Sequence, residues 1–128
     1  MTEIFVYGTL KRGFKNDHIL KEIKAKFISN VTTVKKYPMI ELDDPFPYLL
    51  DNADYGLNIK GELYEIDDSK VDRLDHFEGV PTLYKKGLIE IEIYKKGIQS
   101  IKTVHCYFKA KSVRGIEEKD LIDNYSEY

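Results

Sequence analysis

The sequence predicts an α+β fold, a small mixed β-barrel carrying two or three short helices. Three observations predict it. Strand-like segments dominate, about five or six in all. Helical segments interrupt them singly. The strand-to-helix spacing is too irregular for a doubly wound parallel sheet. With 128 residues, 42% of them hydrophobic, the chain is expected to form a single domain, 1–128, whose core needs no covalent staples.

The elements follow in order. Ile4-Phe5-Val6-Tyr7 is a short apolar run ended by Gly8, the pattern of a buried strand. Gly8 to Gly13 is a polar loop. Asn16 is placed to cap a short helix over 18–24, with Ile19, Leu20 and Ile23 on one face. The β-branched stretch 25–34 predicts a strand. Residues 37–50 contain Pro38, Pro45 and Pro47 and predict irregular structure with short extended pieces. Residues 59–66 alternate apolar and polar, as a half-buried strand does. Asp67-Asp68-Ser69 opens a helix, in which Ser69 and Asp72 resemble a capping box and Val71, Leu74 and Phe77 form the apolar stripe. Gly79 stands where a C-terminal cap belongs, and Pro81 prevents continuation. The alternation over 84–94, the turn Lys95-Lys96-Gly97 and the return over 100–108 predict a hairpin. A turn around Gly115, a short helix over 117–122 and an acidic tail complete the chain.

Composition excludes several functions. The net charge is −2, which argues against a nucleic-acid partner. The charge is uneven: residues 1–36 carry +5 and the remainder −7, a balance that solvated lysines on loops and a helix face explain first, and attraction of an anionic substrate second. No apolar run approaches the ~20 residues of a membrane span, and the first residues lack the pattern of a secretory signal. The single cysteine, Cys106, excludes a disulfide framework and a cysteine zinc cage, and makes the reducing cytoplasm the expected location. His18, His76 and His105 show no metal-ligand spacing. Gly8-Thr9-Leu10-Lys11-Arg12-Gly13 lacks the Gly-Lys-Ser/Thr of a phosphate loop, and there is no Gly-x-Ser-x-Gly elbow. Cys106 and His105 are strand neighbours, so they face opposite ways and do not make a catalytic pair. The chain is expected to use no metal and no cofactor.

Two features retain chemistry. At Tyr7-Gly8-Thr9-Leu10 a buried strand ends in glycine and then offers a run of main-chain N–H groups able to hold a carboxylate or an oxyanion. Within Leu74-Asp75-His76-Phe77-Glu78-Gly79, Glu78 sits at a helix C-terminus beside Phe77, Val80 and Tyr84. The negative end of the helix dipole and partial burial both raise its pKa, as a general base working near neutrality requires. Taken singly, each feature also fits an ordinary structural role.

Together they resemble the gamma-glutamylcyclotransferase family, and most closely its gamma-glutamylamine cyclotransferase branch. The resemblance rests on Phe5 to Gly13 and on Leu74 to Gly79. Pro47-Tyr48-Leu49-Leu50, Gly61-Glu62-Leu63-Tyr64, Leu83-Tyr84, Cys106-Tyr107 and Asp123-Asn124-Tyr125-Ser126 support it. It implies a small mixed barrel and a reaction in which a γ-glutamyl amide cyclises to 5-oxoproline and frees an amine. It implies that Glu78 is the catalytic acid and base and that Tyr7, Gly8, Thr9 and Leu10 bind the glutamyl group. Because that loop contacts only the half common to all candidate substrates, the leaving amine is expected to be selected elsewhere, by Pro47, Tyr48, Tyr84 and the tail near Tyr125. The implied ligand is a small γ-glutamyl compound. Two other readings stand beside it. One is a non-catalytic ligand-binding barrel of the same fold. The other is an oligonucleotide-binding barrel stacking bases on Tyr37, Tyr48, Tyr84, Tyr94 and Tyr107, which the net charge disfavours.

Overall fold

A computed structural model describes residues 1–42, 46–110 and 120–126. Its strands are β1 (Thr2–Val6), β2 (Lys26–Tyr37), β3 (Met39–Glu41), β4 (Pro47–Leu49), β5 (Leu57–Ile66), β6 (Tyr84–Lys95) and β7 (Ile98–Lys109), and its helices are α1 (Asp17–Glu22) and α2 (Val71–Glu78). β1, β5, β2, β6 and β7 close a barrel in that order. All neighbours are antiparallel except β1 and β7, whose parallel pairs Ile4–His105 and Phe5–Cys106 close the ring. β3 and β4 form a separate two-stranded ribbon. The expected mixed α+β barrel with short helices is the fold observed.

The apolar run in β1 is continuous because both of its faces are covered. Phe5 and Tyr7 join Leu63, Ile89, Ile91, Cys106 and Phe108 in the barrel interior. Ile4 and Val6 point outward and are roofed by Ile19, Leu20 and Ile23 of the α1 region and by Leu74 of α2. One strand thus joins the barrel core to the helical layer, and its last residues are held from both sides. A third cluster, Ile40, Tyr48 and Leu50 with Phe46 and Leu121, sits under the small ribbon. Among the described residues no helix is long and apolar enough to cross a membrane.

Several elements differ from expectation for identifiable reasons. α1 ends at Glu22, because Lys24 takes a left-handed conformation (φ 57°). Asn16 occupies the cap position without capping: its side-chain amide donates to Thr9 Oγ1 at 2.9 Å. β2 runs on to Tyr37 because Lys36 and Tyr37 find partners in Asn58 and Leu57. Asp67, not Ser69, caps the second helical segment. Its carboxylate accepts from Ser69 N (2.9 Å) and Ser69 Oγ (2.7 Å), and a 3-10 turn over Asp68–Lys70 precedes α2. The carboxylate two residues earlier takes Ser69's own N–H and hydroxyl proton, so the helical segment starts before Ser69 and the hydroxyl serves as a donor to the cap. The hairpin closes more tightly than expected, through Lys96 (φ 52°) and Gly97 (φ 77°), the two positive φ values of a type I′ turn. Gly115 and residues 117–119 of the expected last helix lie outside the described residues, and 120–122 are not helical.

Candidate active site

The first wall is the end of β1. Tyr7 lies inside the barrel, and its hydroxyl donates to the Tyr107 carbonyl oxygen of β7 at 2.5 Å. Burial pushes its pKa well up, so the phenol keeps its proton. The chain then turns, with Lys11 N donating to Gly8 O at 3.1 Å. Later amides in the loop are occupied. Arg12 N donates to Glu62 Oε1 (2.9 Å), Gly13 N to Asp17 Oδ2 (3.0 Å) and Phe14 N to Lys11 O (3.0 Å). Among the described residues, the N–H groups of Gly8, Thr9 and Leu10 have no partner. Thr9 is pinned from behind: Asn16 N donates to its carbonyl at 3.0 Å, in addition to the side-chain bond. The Leu10 side chain is buried in the outer cluster. Three consecutive donors are therefore left open on a turn fixed at both ends.

The second wall is the end of α2. Gly79 takes the left-handed conformation (φ 69°), Gly79 N donates to His76 O, and Val80 N to Asp75 O. This is a Schellman cap. A Cβ at Gly79 would stand 2.9 Å from Leu83 Cδ1, so both the dihedral and the space call for glycine. The cap fixes Glu78 at the helix end, half-buried and facing the β1 turn across a cavity. Burial first, and the charge of Asp75 second, raise the Glu78 pKa to about 7.

Asp75 escaped the sequence reading. It stands one helical turn from Glu78 and accepts from Tyr107 Oη (2.5 Å) and Lys86 Nζ (2.9 Å). Its partners lie 32 and 11 residues away. The only local signal was a second carboxylate at i−3 on the same face.

A small cavity open to solvent lies between these walls. It brings together Glu78, Tyr7, Gly8, Thr9, Leu10, Pro47 and Tyr84 from the residues singled out in the sequence, and adds Phe46 and Tyr107. Tyr84 Oη lies 3.5 Å from the Pro47 carbonyl oxygen. Tyr48 is not in the lining. Successive residues of β4 face opposite ways, so with Pro47 toward the cavity Tyr48 turns into the ribbon core, against Phe46 and under Lys109 Nζ. Tyr125 lies elsewhere, buried beside Phe14 and bordering a second, wider depression. Cys106 is fully buried, and burial pushes its thiol well up, away from the thiolate. Among the described residues no three His, Cys, Asp or Glu side chains converge as metal ligands.

Gly8 has a reason the sequence did not disclose. Its φ is not in the left-handed region, but a Cβ there would lie 3.0 Å from Pro47 Cγ and 3.2 Å from Cδ. The glycine lets the ribbon close on the β1 turn. Gly8→Val is expected to push Pro47 away and reshape the cavity, lowering kcat/KM about tenfold or more while costing only about 1–3 kcal/mol of stability. Steady-state kinetics beside a melting curve check this, and unchanged kinetics would remove Gly8 from the site.

The architecture has close counterparts among solved structures. An AIG2-like protein from Mus musculus superposes with a TM-score of 0.87 over 98% of this chain and 88% of its own, at 27% identity. Residues 4–126 match the family model described as gamma-glutamyl cyclotransferase, AIG2-like, and the chain belongs to that family. Among curated proteins, gamma-glutamylaminecyclotransferase A of Danio rerio is 42% identical over 96 residues, covering 72% of this chain and 60% of that protein. Gamma-glutamylaminecyclotransferase B of the same fish is 34% identical over 130 residues, covering 98% and 68%. The chain thus spans about three-fifths to two-thirds of the length of these relatives. The family resemblance read from residues 5–13 and 74–79 is borne out.

Proposed function

We propose that the protein is a γ-glutamylamine cyclotransferase, converting a γ-glutamyl amine to 5-oxoproline and a free amine. One observation carries the reading: a carboxyl group with a pKa of about 7, Glu78, shares a cavity with three unpaired main-chain donors, Gly8 to Leu10. A single base and a donor cradle suffice for this reaction, because the nucleophile belongs to the substrate.

In the proposed reaction the ionised Glu78 takes a proton from the substrate α-ammonium. The freed amine attacks the γ-carbonyl carbon, and the new C–N bond closes a five-membered ring. Intramolecular attack has a large effective molarity. The amides of Gly8, Thr9 and Leu10 hold the anionic oxygens of the glutamyl half, its carboxylate or the oxyanion of the tetrahedral intermediate. Protonated Glu78 then gives its proton to the departing nitrogen as the old C–N bond breaks, and the carboxylate so restored takes the second proton from the ring nitrogen and passes it to the freed amine, leaving neutral 5-oxoproline and an ammonium product. Pro47, Tyr84 and Phe46 border the leaving side. Similarity to the fish cyclotransferases favours γ-glutamyl-ε-lysine over glutathione as substrate. We further place the whole chain in one domain, acting in the cytoplasm on a small molecule, without cofactor or nucleic acid. The lone buried cysteine and the net charge of −2 support this.

The reading is tested by incubating the protein with γ-glutamyl-ε-lysine, other γ-glutamyl amines and glutathione and scoring 5-oxoproline. Release from γ-glutamyl-ε-lysine is expected. Release from glutathione alone would keep the reaction and overturn the branch. Binding of these compounds without turnover would favour the ligand-binding barrel. Because Glu78 must be ionised to act as base, kcat/KM should rise with pH through about 7. EDTA should leave the rate unchanged, and loss restored by zinc would mean a different reaction class.

A further inference from the structure

Lys11 follows the turn that carries the open amides, and it is 7% exposed. A buried ammonium is costly unless its donors are satisfied. Here Nζ donates to Asn124 Oδ1 and to the Tyr125 carbonyl oxygen, each at 2.8 Å, and lies 4.8 Å from the centre of the Phe14 ring. Residues 122–126 are themselves anchored. Ile122 N donates to Met39 O at 2.9 Å, and Lys60 N donates to Asp123 O at 2.8 Å. Lys60 Nζ pairs with Asp123 at 3.7 Å, and the Tyr125 ring packs on Phe14 and the barrel core. The segment therefore forms a strap across β3 and β5, and Lys11 joins it to the turn. The Lys11 amide closes that turn on Gly8 O, so side chain and backbone of one residue fix the same four-residue unit.

We propose that Lys11 is a positioning residue, whose bond to the 122–126 strap sets where the open amides of Gly8, Thr9 and Leu10 stand in the cavity. The proposal rests on the glutamyl-binding role of those amides given above. It also assigns the strap a function different from the one expected of Tyr125. Tyr125 borders the depression on the far side of the turn, not the cavity with Glu78. The strap then acts on the glutamyl half that all substrates share, and has no part in choosing the leaving amine.

The test uses the full chain with Lys11→Met, which keeps the stem and removes the ammonium, with the milder Asn124→Leu, and with both. Two readouts are taken. The backbone amide resonances of Gly8, Thr9 and Leu10 should shift in the same direction in both single variants. The kcat/KM per folded molecule should fall about tenfold or more in Lys11→Met, by equal factors for γ-glutamyl-ε-lysine and glutathione, with the pH midpoint unchanged. Asn124→Leu should add little to Lys11→Met, since their shared bond is already gone. A lowered melting temperature with unmoved resonances and unmoved kcat/KM would overturn the proposal, and so would a changed ranking of amines. If the wild-type protein turns over no γ-glutamyl compound, the function proposed above fails, and the amide resonances alone decide whether Lys11 sets the turn.

Discussion

Glu78→Gln should abolish most turnover while making the protein more stable above neutral pH. Glutamine keeps the shape of the side chain and removes its basicity, so neither proton transfer has an agent. The expected loss in kcat is at least ~10²-fold, the low end of what acid–base catalysis contributes. The stability change has the opposite sign. Folding raises the carboxyl pKa from 4.5 to about 7, so between these values the folded state holds a proton that the unfolded state has released. The contribution of Glu78 is favourable below pH 4.5 and declines as pH rises through about 7. At pH 8 the wild type bears the full cost of a half-buried carboxylate, and Glu78→Gln relieves it by on the order of 1–3 kcal/mol, discounted for solvent contact. Kinetics and chemical denaturation at pH 5 and pH 8 check both halves. A folded Glu78→Gln protein with near-normal turnover would sink the assignment, and equal stability differences at the two pH values would show that the carboxyl is not desolvated.

A large stability loss is expected from Gly61→Ala. Gly61 lies in β5, where a Cβ would stand 2.4 Å from the Val6 carbonyl oxygen and 2.6 Å from Cε1 of the buried Phe5 ring. Neither neighbour can yield. The carbonyl belongs to the β1 backbone, and the ring is 1% exposed inside the barrel. The cost is steric alone, since Gly61 is not in the left-handed region. About 3 kcal/mol or more is expected, beyond the usual range for overpacking because backbone must move, which lowers Tm by roughly 10 °C. Displacing Val6 also displaces Tyr7 to Leu10, so activity should fall with stability. A Tm within about 2 °C of wild type would show that β1 and β5 are not so closely apposed.

The sequence carried the parts of the site that depend on local pattern. The two-sided apolar run of β1, the glycine after it, and the Gly79 and Pro81 stop that fixes Glu78 at a helix end are all short-range signals, and each stands where it was expected. What long-range partners decide was not legible. Which loop amides stay open depends on Glu62, fifty residues away, taking the Arg12 amide. The Asp75–Tyr107 bond joins α2 to β7. The role of Gly8 depends on Pro47 reaching it across the chain. In the three-residue strand β4 alternation is too short to say which of Pro47 and Tyr48 faces the cavity. The cap lies at Asp67 and not at Ser69 because the Asp67 carboxylate accepts Ser69's own N–H and hydroxyl and starts a 3-10 turn that the residue pattern does not signal.

The central claim is that the substrate's own α-amine is the nucleophile and Glu78 its base. It is tested most directly by comparing γ-glutamyl-ε-lysine with the same compound acetylated on the α-nitrogen. The free compound should yield 5-oxoproline and lysine in equal amounts, and the acetylated one, unable to cyclise, should yield neither. Release of lysine together with N-acetylglutamate would show that water is the nucleophile and would contradict the account.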